Sequence, residues 1–108
     1  MYEPSRLICS FHIAGFKYWD GACVLSELRA GESLQLVPEP DNPYDSQAVA
    51  IYRGSDKLGF VPAEHNGTLS LMLHYGHAAA FEARVQQVSS ESNPWEQVRV
   101  GIYVVAAR

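Results

Sequence analysis

EPDNPYDSQAVAIYRGSDKLGFVP, residues 39–62, is the stretch on which the fold turns. It begins as a turn: the side chains of Asn42 and Asp45 can bond nearby backbone groups, and Pro43 pre-sets φ between them. AVAIYR, 48–53, then alternates like a strand with Val49 and Ile51 on one face. Gly54-Ser55-Asp56 supplies hairpin-turn chemistry, and KLGFV, 57–61, reads as the return strand. Pro62 suits the first turn of a helix. A polar turn, a hairpin and a helix start follow one another without a linker.

Outward from this segment, the rest of the chain keeps the same short rhythm. RLICSFHI, 6–13, places Leu7, Cys9, Phe11 and Ile13 on one face of a strand, and SLQLVP, 33–38, turns Leu34 and Leu36 inward. Leu69, Met72 and Leu73 recur at helical spacing and Gly76 follows as a C-cap, so a helix is expected over about 62–75. Two further strands, about 79–89 and 96–106, flank the polar turn SSESNP. Residues 23–28 are apolar but too short to assign. Five to six short strands, with one main helix inserted before the last hairpin, predict a mostly β, OB-like barrel. At 108 residues the chain reads as one domain, 1–108.

Composition excludes several classes. Hydrophobic residues at 47% and charged residues at 19% are ordinary for a globular chain and argue against disorder. Nothing approaches the roughly 20 apolar residues that span a bilayer, and the N-terminus lacks a signal-peptide pattern, so a cytoplasmic protein is expected. In that compartment Cys9 and Cys23 read as two small buried thiols rather than a disulfide. Twelve acids against eight bases give a formal net charge of −4, so no basic stripe exists to track a long phosphate backbone. Any nucleic-acid contact must be local.

Two clusters have the chemistry of a site. In DNPYD, Tyr44 between Asn42 and Asp45 adds a stacking face and a polar tip to a carboxylate that can accept a hydroxyl proton. In FKYWD, 16–20, Phe16 or Trp19 must plug the barrel end, but neighbours cannot all point inward, which leaves some of Lys17, Tyr18 and Trp19 facing solvent. Aromatic faces beside a cation suit single-stranded nucleic acid, carbohydrate and peptide alike. His12, His65, His74 and His77 have no cysteine or paired acid at zinc-ligand spacing, so no metal is expected. No nucleophile elbow, phosphate loop or Cys-x-x-Cys is present, and the turn acids do not make a two-metal site. The expectation is a non-enzyme with no cofactor.

The ordered set GFKYWDG, EPDNPYDSQAVAI and KLGFVP, followed by a helix, resembles the HIRAN family over about residues 7–104. The resemblance implies a modified OB-type barrel and, by analogy with the fork-remodelling Swi/Snf-class translocases, capture of the 3′-hydroxyl end of single-stranded DNA. Asp45 would then accept the hydroxyl and repel a 3′-phosphate, with Tyr44 beside it and Asn42 orienting the turn. Lys17 would meet a phosphate, Tyr18 would stack or brace, Phe60 would line the pocket, and Trp95 is the counterpart of a later stacking aromatic. The sequence departs from the family at two of these points and at one further position. Lys17 stands where arginine is frequent and cannot reproduce its bidentate fork. Phe60 stands where the animal members have histidine, and Ala63 where they have a lysine. The implied partners are a free DNA 3′ end and a repair nuclease or helicase, with no membrane. The alternative is a peptide-interaction module of the same fold, holding its ligand by strand addition.

Overall fold

The computed structural model describes residues 5–106. Six strands carry it: β1 (Ser5–His12), β2 (Ser33–Pro38), β3 (Val49–Arg53), β4 (Asp56–Phe60), β5 (Phe81–Val88) and β6 (Val98–Val105). Their order is β1-β6-β5-β2-β3-β4, every neighbouring pair antiparallel. The two outer members of this order meet through the residues that follow β1. Ala14 N–H donates to the Phe60 carbonyl and Phe60 N–H to the Ala14 carbonyl, both at 2.9 Å. This bridge brings the sheet round on itself, as the expected OB-like barrel requires.

Gly59 permits that closure. It sits next to a β-bulge in the β3–β4 ladder, at φ +146°, a conformation open mainly to glycine. A Cβ there would overlap the Ala14 carbonyl oxygen and lie 2.6 Å from Ile13 Cγ2. The chain after β1 therefore passes over residue 59 at a distance that leaves no room for a side chain.

The interior is filled by the alternating faces read from sequence. Phe11, Ile13, Leu34, Val49, Ile51, Leu58, Val85, Val100 and Ile102 are all buried, and Ala50 is buried as well because β3 is covered on both faces. Phe16 plugs one end, and residues 23–28 turn out to belong to helical turns, α1 (Gly21–Val24) and a 3-10 turn at Leu25–Glu27, which send Val24 and Leu28 into the core. The main helix, α2, spans Ala63–His74, within the expected bounds. Its C-terminus is a Schellman motif: Gly76 at φ +87° lets Gly76 N–H reach the Leu73 carbonyl (3.1 Å) and His77 N–H the Met72 carbonyl (3.0 Å). Among the described residues no helix is long and apolar enough to cross a membrane.

Two expectations are corrected. Leu7 does not face inward with Phe11 and Ile13 but is 46% exposed. A bulge between Leu7 and Cys9 takes one extra residue and sets Leu7 opposite Tyr103 rather than Val104, reversing its face. Cys23 is exposed on α1 instead of buried; Cys9 is half-buried, and the two remain free thiols. Burial pushes the Cys9 thiol above its ordinary pKa.

Two outcomes follow from this packing. Gly59→Ala should lose about 2 kcal/mol or more of stability in urea titration; a loss below about 0.5 kcal/mol would mean that the chain crossing is not tight. At mildly alkaline pH a thiol-specific alkylating agent should label Cys23 well before Cys9, read by mass spectrometry.

Candidate functional site

The turn between β2 and β3 is organised by its own side chains. Asn42 Oδ1 accepts from Tyr44 N–H (2.9 Å) and from Asp45 N–H (3.2 Å). Asp45 Oδ1 in turn accepts from Gln47 N–H at 2.9 Å, which leads the chain into β3. These are the local bonds that make Asn and Asp frequent in turns. The second Asp45 oxygen, Oδ2, accepts from Asn66 Nδ2 on α2 at 2.8 Å. Asn66 is the buried polar residue of this packing, 2% exposed, on the same helical stripe as Leu69 and Leu73. A helix donor thus fixes the Asp45 carboxylate from below.

A hollow of about 230 Å³ opens over this turn. Asn42, Tyr44, Asp45 and Phe60 line it, as do Asn66 and the small apolar side chains Ala14, Ala48 and Ala63. Four of the seven residues singled out from sequence therefore share one concavity. Each Asp45 oxygen holds one donor and keeps lone-pair capacity for another. Tyr44 is 95% exposed, so its ring stands free at the rim.

Lys17, Tyr18 and Trp95 gather elsewhere, around a second hollow of about 240 Å³ shared with Gly15, Phe16 and Pro94. Lys17 Nζ lies 5.1 Å from the Tyr18 ring centroid. Tyr18 and Trp95 are 75% and 60% exposed, leaving their faces open for stacking. The two hollows adjoin along the chain, since Ala14 lines the first and Gly15 the second. The sequence set is thus divided between two neighbouring depressions.

Charge is distributed unevenly. Arg53 bonds Glu32 and lies 3.5 Å from Glu27, Arg84 bonds Glu82 at 2.7 Å, and Lys57 pairs with Glu39 at 2.7 Å. The carboxylate bonds raise both guanidinium pKa values, that of Arg53 chiefly through Glu32 and that of Arg84 chiefly through Glu82. Lys17 has no ion-pair partner among the described residues and so presents its full charge beside the second hollow. Among the described residues no group of three or more His, Cys, Asp or Glu side chains could hold a metal ion.

Sequence reasoning missed the support beneath the turn. Lys57 is 12% exposed at its side chain, with Nζ 3.8 Å from the Trp19 ring centroid and 4.4 Å from that of Phe60. Its partner Glu39 also accepts from Asn42 Nδ2 at 3.1 Å. Asn66 could have been found, since its place on the Leu69–Leu73 stripe is legible as an amide at a buried helical position. No pattern within β4 announces that Lys57 is covered, because the cover comes from a loop distant in sequence.

Residues 8–106 match the HIRAN domain family. Two solved structures share the fold: a protein from Lactobacillus plantarum, TM-score 0.80, 18% identical, covering 98% of this chain and 100% of that one; and the HIRAN domain of human HLTF, TM-score 0.70, 18% identical, covering 96% of this chain and 81% of that one. No curated protein matches the sequence at a significant level.

Removing the helix donor tests the site's rigidity. Asn66→Ala should cost about 1–3 kcal/mol in urea titration, through the lost bond to Asp45. Asn66→Asp should cost more at pH 7, because it sets two carboxylates against each other, and the excess over Asn66→Ala should shrink as pH falls through the carboxylate range. Equal losses at both pH values would separate Asn66 from Asp45.

Proposed function

The chain belongs to the HIRAN domain family, and from that premise and the geometry of its turn we propose that it binds the 3′-hydroxyl end of single-stranded DNA. The observation that carries the reading is the Asp45 carboxylate, anchored by Gln47 N–H and Asn66 Nδ2 yet lining an open hollow with acceptor capacity left. A terminal 3′-hydroxyl donates to it, whereas a 3′-phosphate brings negative charge against negative charge. Small apolar side chains, Ala14, Ala48 and Ala63, give the sugar a flat seat between the Phe60 and Tyr44 rings. The next nucleotides run past Ala14 and Gly15 to the second hollow, where Tyr18 and Trp95 offer stacking faces and Lys17 a phosphate contact.

The charge distribution supports a short footprint. With Arg53, Lys57 and Arg84 each engaged by an acid, Lys17 is the cation that lines a hollow without an ion-pair partner among the described residues, so few counterions are released and the salt slope is shallow. Phe60 and Ala63, standing where other members have histidine and lysine, supply no charge to the first hollow. The module works without catalysis or cofactor in the cytoplasm, delivering a partner nuclease or helicase to a DNA end during repair or replication stress.

A peptide-binding reading has one observation in its favour. Within the described residues β1 pairs with β6 on one side only, and Leu7 and Ile8, 46% and 53% exposed, lie on it. Strand addition along that edge would hold an extended chain.

Fluorescence anisotropy with short oligonucleotides distinguishes these readings. Strands ending in 3′-hydroxyl should bind about tenfold more tightly than the same strands ending in 3′-phosphate, a difference of about 1.4 kcal/mol. Asp45→Ala should abolish the preference, while Lys17→Ala should weaken both ends alike and lower the salt slope by about one. Equal affinity for the two ends in the parent protein removes end capture.

A further inference from the structure

Lys57 is placed unusually for a lysine in a short hairpin strand. Its side chain is only 12% exposed, and its ammonium lies against three groups: the Glu39 carboxylate (2.7 Å), the Trp19 ring (3.8 Å) and the Phe60 ring (4.4 Å). Trp19 and Phe60 meet edge to face with centroids 5.9 Å apart, which is how two rings can both approach one cation. Backbone bonds fix the surroundings as well: Lys57 N–H donates to Asp20 Oδ2 (3.2 Å), and Asp20 N–H to the Lys57 carbonyl (2.9 Å). The loop carrying Trp19 is thereby pinned to β4.

From this enclosed charge a continuous path leads to the hydroxyl-accepting turn. Glu39 offers one oxygen to Lys57 and the other to Asn42 Nδ2 at 3.1 Å. Asn42 is thus held by its amide nitrogen while its oxygen accepts from the Tyr44 and Asp45 N–H groups. Without Glu39 in place, the Asn42 amide is free to rotate, and the two backbone donors lose a fixed acceptor. Glu39 in turn keeps its orientation because a largely covered cation is costly to leave without its counter-charge. We infer that Lys57 is a positioning residue for the Asp45 turn, acting through Glu39 and Asn42, and that the Trp19–Phe60 pair holds its ammonium for this task.

The inference rests on the end-capture reading only for its functional meaning; the path itself exists without ligand. It differs from a direct phosphate role, since a cation engaged on three sides does not release counterions on binding. The two roles give opposite salt signatures.

The test joins two readouts. In proton–nitrogen NMR of the free protein, Lys57→Met, which keeps the stem and removes the charge, should speed amide exchange at Tyr44 and Asp45 about five- to tenfold relative to β6 amides. Lys57→Arg should restore protection. Glu39→Ala should reproduce the Lys57→Met change, and the double variant should add nothing to either single one. That Glu39 variant also carries the test should Lys57→Met not fold. In anisotropy, Lys57→Met should reduce the preference for 3′-hydroxyl over 3′-phosphate ends at least threefold with the salt slope unchanged. Unaltered exchange at Tyr44 and Asp45 overturns the inference, as does a salt slope lowered by about one. A parent protein without end preference, whose turn still loosens in Lys57→Met, defeats end capture and leaves the positioning role standing.

Discussion

The crossing of two main chains at Ala14 and Gly59 is the constraint from which the rest of the molecule follows. The sheet can come round on itself only if the segment after β1 lies flat against β4, and it can lie flat only where residue 59 has no side chain. Two backbone bonds then join Ala14 to Phe60. The same contact shapes the candidate site, because Ala14 becomes a wall of the first hollow and Gly15 a wall of the second. Closure of the barrel and construction of the site are one event in this chain.

Above that crossing, the turn at Asn42–Asp45 is rigid for reasons that come from three directions. Its own amide and carboxylate side chains bond the local backbone; α2 contributes Asn66 from beneath; and β4 contributes Lys57 through Glu39. A surface turn without such support would sample many conformations, and a carboxylate on it would meet a hydroxyl at a large entropic cost. Here that ordering is already done in the unliganded protein. On the end-capture proposal, that ordering is what would let an acidic module recognise a small part of a polyanion without a broad basic surface.

Legibility from sequence followed the range of the interactions. The strands, α2 and its Gly76 cap were readable because period and punctuation are local signals, and the β3–β4 hairpin announced itself through Gly54. Asn42, Tyr44 and Asp45 were grouped by turn chemistry and Phe60 joined them through the family resemblance; the four lie together. Leu7 went wrong because one extra residue in a ladder inverts the alternation without leaving a mark in composition. Lys57 escaped notice because its enclosure depends on Trp19, which reaches it only once the loop after β1 is pinned by Asp20. The separation of Lys17, Tyr18 and Trp95 from the Asp45 hollow was equally invisible, since Trp95 arrives on the β5–β6 connection from the far end of the chain.

Residue 60 contributes to the molecule through its backbone and, separately, through its ring. Its amide and carbonyl bridge to Ala14, and its ring both lines the first hollow and covers the Lys57 ammonium beside Trp19. Any L-amino acid except proline can make the first contribution. Exchanging the phenyl ring for an imidazole would therefore leave the backbone bridge intact while altering both the lining of the hollow and the cover over Lys57. One substitution at this residue would thus reach the rim of the concavity and its foundation together.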